Sequence, residues 1–417
     1  MTAAPSRLGY AVFAAMLAAA GLPIYIHAPK VYVDSHAVSL SALAGVLFVL
    51  RLFDVVQDPA LGWLAQRLRA RRGAAVLGGV AVLAGSMFGL FAVPPPIAPL
   101  AWFALMMTGL FSAFSFLTIC MYAQGVAAAP GLGPQGYLRL AAWRETGALL
   151  GVCAAAVAPT LLDATGDPYG NFALGFGVFC LWALWLMRGD WVGAPQPGDA
   201  GFRIVLSDPV ARRLLVVALM NAAPVAVSST LFLFYVESVL LAPGWEGPLL
   251  LLFFLAAALS APVWSRAATR FGPRAMLLVA MALAIAAFSL VLVLGPGDTL
   301  AFAAICLASG AALGADFVLL PALFARRMEQ IAPEAAAGFG LWAFVSKLTL
   351  AFAAVVLLPA LDAAGFQTGA QSPAAALDLL TYLYALVPCV LKLGAMAVLA
   401  TTPLPHSGRP DSLEKVS

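Results

Sequence analysis

The residues with most chemistry to offer lie in the stretch "RLFDVVQDPALGW", residues 51–63. Arg51, Asp54 and Asp58 follow one another at spacings of three and four, which on a helix puts them on one face. The stretch sits inside a long apolar run, and a charge near the centre of a bilayer costs about 3 kcal/mol on insertion scales. Arg51 can neutralise one carboxylate; the other asks for a basic side chain from elsewhere or a bound cation. Carboxylates with neutral oxygens beside them are the ligand set that takes a small hard cation out of water. Gln57 in the same stretch, and Ser115 and Thr118 further on, are candidates for the neutral oxygens. Pro59 leaves the carbonyl of Val55 without its helical donor, one more oxygen beside the acids. The competing explanation is structural: Arg51 and the acids lock this segment to its neighbours and do nothing more.

Few other charges lie in apolar runs. Arg144 and Glu145 sit seven to eight residues into the fifth run, placed either to pair with Asp54 and Asp58 or to meet a polar substrate group. An arginine near a run's end can also simply snorkel. Lys347 lies about ten residues into the eleventh run, too deep to snorkel, and is expected to reach across to Asp54 or Asp58, where it would compete with a bound cation. Asp316 and Lys392 read more readily as structural charges. Tyr25, Tyr122, Trp143, Asn221, Tyr235 and Trp342 are candidates to line a pocket, although membrane helices also place Trp and Tyr at interfaces.

The elements that must position these residues follow from composition. Of 417 residues, 63% are hydrophobic and 10% charged, against about 25% charged in soluble domains. Such a chain needs lipid as its solvent. Cutting at Pro, Gly and charge clusters gives twelve spans of about 20 residues or more: 8–31, 38–66, 74–94, 97–127, 138–162, 170–187, 210–240, 247–267, 274–295, 299–325, 337–361 and 376–401. The first run includes Pro23 and His27 and continues too far for a cleavable signal peptide, so it reads as a transmembrane helix. Cys120, Cys153, Cys180, Cys306 and Cys389 are scattered through apolar runs, as expected of small buried hydrophobes.

Loop charge sets the orientation. Arginines fill the loops after spans two, eight and ten and the central link, whereas Asp34, Asp163, Asp167, Glu246, Asp298 and Asp362 mark the opposite loops, with Lys30 the exception. By the positive-inside rule both termini are cytoplasmic. The Gly- and Pro-rich link "RGDWVGAPQPGDAGFR" splits the spans six and six, and "WLAQRLRARRG" after span two is echoed by "WSRAATRFGPR" after span eight. The expected organisation is a bundle over 1–188, a cytoplasmic link over 189–209, a second bundle over 210–402 and a tail over 403–417. Two related halves, each of 3+3 repeats, resemble the major facilitator fold: all-α, twelve transmembrane helices, two pseudo-symmetric six-helix bundles.

"RLFDVVQDPALGW" with the following "RARRG" resembles the second helix and loop of the melibiose permease-like glycoside–pentoside–hexuronide:cation symporters. "YLRLAAWRETGALLG", "NAAPVAVSSTLFLFYVESVL" and "GFGLWAFVSKLTLAFAAVVL" resemble their fifth, seventh and eleventh helices. The resemblance implies a coupling-cation site at Asp54 and Asp58, joined by the Ser115 hydroxyl, with Gln57 where the family has an asparagine. It implies a substrate-facing role for Arg144 and a charge-network role for Lys347, which Arg51 joins by its spacing to Asp54. The resemblance fails at the family's sugar-binding groups: Leu17 and Ala18 stand where it has a Lys–Asp pair, Thr118 where the fourth helix has an Asp and Tyr122 where it has a Trp, and "PALFARRMEQ" replaces an acidic stretch. A sugar hydroxyl left unpaired in an apolar cavity costs about 1–3 kcal/mol, so these losses point to a less polar or anionic substrate, lipid-like in one reading, anchored by Arg144, with Thr118, Tyr122 and Trp342 around it.

The expectation is therefore a multi-pass inner-membrane symporter, monomeric in the bilayer, carrying by alternating access a small organic solute, sugar- or glycoside-like as the resemblance implies or else less polar or lipid-like, with Na⁺ or H⁺ as coupling ion. It needs no cofactor and no nucleic-acid partner. Na⁺, if it binds, does so at Asp54 and Asp58. The alternative within transport is a proton-coupled exporter of amphipathic compounds, since "GWLAQRLRARRG" resembles a major facilitator loop motif with Gln66 where an Asp is usual. A receptor or lipid-modifying enzyme is disfavoured: the loops are short, and His27, His36 and His406 are too scattered for nucleophile–base or metal-ligand spacing.

Overall fold

The computed structural model describes residues 6–22, 28–36, 38–133, 135–191, 202–332, 336–366 and 372–403. Within them the chain forms α1 (Arg7–Leu22), α2 (Ala28–His36), α3 (Leu40–Arg67), α4 (Arg72–Phe91), α5 (Pro99–Ala128), α6 (Gly136–Leu161) and α7 (Pro168–Met187). After the link come α8 (Phe202–Ser207), α9 (Pro209–Ser238), α10 (Glu246–Phe271), α11 (Pro273–Leu290), α12 (Thr299–Ile331), α13 (Ala336–Ala363) and α14 (Ala374–Thr401). The short α8 in the link is an addition to the sequence reading. The first expected span, 8–31, is described as α1 and α2, with Pro23, Tyr25 and His27 between them outside the described residues.

Local chemistry explains the helix starts. Pro stands in the first turn of α5, α7, α9 and α11, where its missing N–H is one the helix cannot pair anyway. Ser39, Asp167 and Asp208 cap α3, α7 and α9 through side-chain oxygens on the N–H groups of Ala42, Gly170 and Ala211. Among the described residues nine helical segments are long and apolar enough to cross a membrane by length and composition alone; α1, α3 and α13 complete two sets of six.

The two sets pack alike, and this is the structural form of the internal repeat. In the first, α1 packs on α6 and α7, α3 and α4 on α5, and α4 on α7. In the second, α9 packs on α13 and α14, α10 and α11 on α12, and α11 on α14. The same pseudo-twofold relates the contacts between bundles: α3 with α13, and α6 with α10. Small residues make these approaches possible. Added Cβ atoms at Gly147 and Gly151 of α6 would lie 2.1 Å from Ala11 O and 2.3 Å from Ala15 O of α1. Between bundles, one at Gly62 of α3 would lie 3.0 Å from Ala336 O and Gly340 Cα. Ser265 on α10 donates to Leu138 O on α6 at 3.0 Å. Both contacts lie at helix ends on the side of the arginine-rich loops, so on that side the bundles are closed against each other.

Candidate functional site

Helix α3 presents Asp54, Gln57 and Asp58 toward α5 and α13. Asp54 and Gln57 are buried, and Asp58 is 0% exposed. From α13, 289 residues later, Lys347 reaches back into the acids. Its Nζ donates to Asp54 Oδ1 at 2.8 Å, to Asp58 Oδ1 at 3.2 Å and to Ser115 Oγ at 2.5 Å. Asp58 Oδ2 lies 3.1 Å from the same nitrogen yet accepts no hydrogen bond among the described residues. One ammonium thus serves two carboxylates, and its three N–H donors are spent on three oxygens of the site.

Helix α5 completes the shell. Ser115 Oγ donates to Asp54 Oδ1 at 3.1 Å, and Gln57 Nε2 donates to the same oxygen at 3.1 Å. Ser112 Oγ donates to Gln57 Oε1 at 2.7 Å and so fixes which end of the amide faces Asp54. Ser112 was absent from the sequence candidates; it lies three residues before Ser115, one helical turn away, and that spacing was the signal available. Arg51 is half-buried one turn before Asp54 on α3.

Arg144 does not join this group among the described contacts. It is buried on α6, its Nε donates to its neighbour Glu145 at 2.7 Å, and its guanidinium lies 3.8 Å above the Tyr122 ring. Tyr122 Oη donates to the same Glu145 oxygen at 3.4 Å. Of the two placements open to Arg144, pairing with the span-two acids is not the one seen: an adjacent carboxylate and an aromatic face satisfy it first. Its Nη2 has no partner among the described residues.

Both clusters border one cavity of about 350 Å³ between the bundles. Thr118, Tyr122, Glu145, Lys347 and Trp342 line it, as do Ser346, Asn221 and Asp316. The rest of the wall is apolar, with Phe317, Leu320, Phe339 and Ala343 prominent. Thr118 Oγ1 has no partner among the described residues, and Trp342 packs on Phe324 with ring centroids 4.9 Å apart. Two sequence candidates leave the site. Trp143 is exposed on the outer surface, and Tyr235 stacks on Tyr384 at 4.6 Å inside the second bundle. Asp316 and Lys392 pair with each other, both buried. Tyr25 lies outside the described residues.

A family model described as MFS/sugar transport protein matches residues 8–406. No curated protein matches the chain in sequence. Among solved structures, a bacterial homologue of the iron transporter ferroportin in an outward-facing state is 15% identical, with a TM-score of 0.71 over 94% of this chain and 98% of that one. The E. coli fucose:proton symporter is 14% identical, with a TM-score of 0.66 over 93% and 97%. At these identities the likeness is one of fold.

Proposed function

Because the chain belongs to the MFS/sugar transport protein family, which includes the melibiose permease-like symporters of the major facilitator superfamily, we propose that it is a cation-coupled symporter of a small organic solute. It is a membrane transporter and not an enzyme. One observation carries the coupling claim: Lys347 Nζ sits among Asp54 Oδ1, Asp58 Oδ1 and Ser115 Oγ at 2.5–3.2 Å, the place a monovalent cation would take. The lysine is an internal stand-in for the coupling ion. Na⁺ or H⁺ arriving at Asp54 and Asp58 neutralises what Lys347 now neutralises, and the ammonium is released from α3.

Release matters because α3 and α13 belong to different bundles. While Lys347 holds both acids, it ties the bundles together next to the Gly62–Gly340 contact. Cation binding loosens that tie. Solute binding in the cavity beside Arg144, Thr118, Tyr122 and Trp342 then supplies the contacts that a rearranged pair of bundles can share. Each ligand raises the other's affinity by linkage. With the arginine-rich side assigned to the cytoplasm of the inner membrane, the closed ends of α3, α13, α6 and α10 shut the cytoplasmic exit, and the protein stands ready to load from outside.

The test is uptake into proteoliposomes, in the monomeric form expected of this fold, under imposed Na⁺ and H⁺ gradients. A panel of glycosides, lysolipids and organic anions serves as cargo. Accumulation driven by one of the two ions supports symport; outward movement of amphipathic compounds against an inward proton gradient favours the exporter instead.

A further inference from the structure

Beside the cavity lies a second buried charge pair that coupling does not use. Asp316 on α12 and Lys392 on α14 are 5% and 4% exposed. Lys392 Nζ donates to Asp316 Oδ2. The other carboxylate oxygen, Oδ1, has no hydrogen-bond partner among the described residues. Asn221 on α9, also 5% exposed, lies beside this carboxylate, and its side-chain oxygen is likewise unpartnered among the described residues. Asp316 and Asn221 both line the central cavity; Lys392 lines a smaller one behind it.

A buried ion pair is a poor device for stability alone, because desolvation offsets most of the attraction. An orphaned acceptor beside it is worse, since a buried polar group left unpaired forfeits its bonds to water. Two such acceptors on one cavity wall are satisfied together by a ligand that brings donors. Lys392 takes up Asp316 Oδ2 and leaves Oδ1 without a partner among the described residues. The remaining wall, with Val225, Leu313, Phe317, Leu320 and Trp342, offers apolar surface.

We propose that Asp316 and Asn221 form a substrate subsite that accepts hydrogen bonds from hydroxyl or amino groups at one end of an amphipathic solute, whose apolar body lies against Phe317, Leu320 and Trp342. This rests on reading the cavity as the transport site. It also relocates polar recognition: the first bundle has Ala18 and Thr118 where the symporter family has sugar-binding acids, and the second bundle supplies the acceptors instead.

The test is the melting temperature of the purified full-length protein with defined probes at saturating Na⁺ and at low pH. The probes are phenyl hexopyranosides and phenylalkylamines, each beside its O-methylated or N-trimethylated counterpart, which keeps the shape and loses the donors. Donor-bearing probes are expected to stabilise the protein at concentrations at least about tenfold lower than their methylated counterparts. Asn221→Ala is expected to weaken their binding about tenfold. Because Asp316→Asn alone strands Lys392, the double variant Asp316→Asn/Lys392→Met is the informative one: it keeps its own melting temperature and loses the preference for donors. In the exchanged pair Asp316→Lys/Lys392→Asp, a purely structural pair would be restored; the expected result is a folded protein that no longer prefers donors. The inference is overturned if no donor-bearing probe stabilises the wild type, if methylated probes bind equally well, or if the double or exchanged variant binds as the wild type does. The Na⁺ and pH response without any probe reports separately on Asp54 and Asp58, so failure of the coupling reading is visible on its own.

Discussion

Replacing Lys347 with Met removes the internal cation while nearly keeping the side-chain volume. At an effective dielectric constant of about 20, Nζ at 2.8 Å from Asp54 and 3.1 Å from Asp58 gains about 6 and 5 kcal/mol of attraction. Desolvation takes back much of this, and breaking a buried pair costs a net of about 3–5 kcal/mol. An entering cation must meet that cost to displace the ammonium. Taking the lower end, about 3 kcal/mol, Lys347→Met is expected to bind the coupling cation about a hundredfold more tightly than the wild type. Isothermal titration with NaCl and LiCl at about pH 8, with proton release followed in parallel, reads the change whichever ion is the natural one. The same variant is expected to transport poorly, since a cation held so firmly is not released on the far side. Unchanged or weaker affinity for every cation, protons included, would refute the competition between lysine and ion.

Further outcomes follow from single contacts. Gly340→Leu places a side chain where even a Cβ meets Asp58 O at 2.9 Å and Gly62 Cα at 3.0 Å; it is expected to part the bundles on the arginine-rich side, measured as faster thiol labelling of Ser346→Cys from that side. Ser112→Ala frees the Gln57 amide to turn, and about fivefold weaker cation binding is expected from the loss of one neutral hydrogen bond, about 1 kcal/mol. Asp208 caps α9 and accepts from Arg327, and that guanidinium, with help from the Ala211 N–H, holds its carboxyl below the ordinary carboxylate range. A depressed folded-state value stabilises above the unfolded value of about 3.9 and is lost as pH falls through the lower, folded one. Asp208→Asn keeps the cap but not the charge, so its melting temperature should fall below wild type at neutral pH and the gap should close as pH drops below about 4.

Much of the architecture was legible because lipid imposes simple rules. Apolar runs, Pro and Gly breaks and the arginine loops marked helices such as α3, α5 and α12 to within a few residues at most ends. The acids of α3 stood out because three charges in a membrane segment require an explanation, and the depth of Lys347 pointed across the cavity. Arg144 was harder to place. Its partners, Glu145 and the Tyr122 face, include its own chain neighbour, and a buried arginine takes the nearest carboxylate before a distant one. Ser112, Gly62 and Gly340 drew no attention because a lone serine or glycine in a membrane helix is ordinary until a second helix lies against it. Trp143 and Tyr235 show the reverse: an aromatic carries no sign of whether it faces lipid, core or cavity until helix rotation is fixed.

The central claim is that Asp54 and Asp58 carry the ion that drives transport. Its most direct measurement is solute uptake by Asp54→Asn and Asp58→Asn in proteoliposomes, with and without an imposed cation gradient, beside solute exchange at equilibrium. The expected result is that both variants lose gradient-driven accumulation while at least one still exchanges solute. Full gradient-driven accumulation in either variant would contradict it.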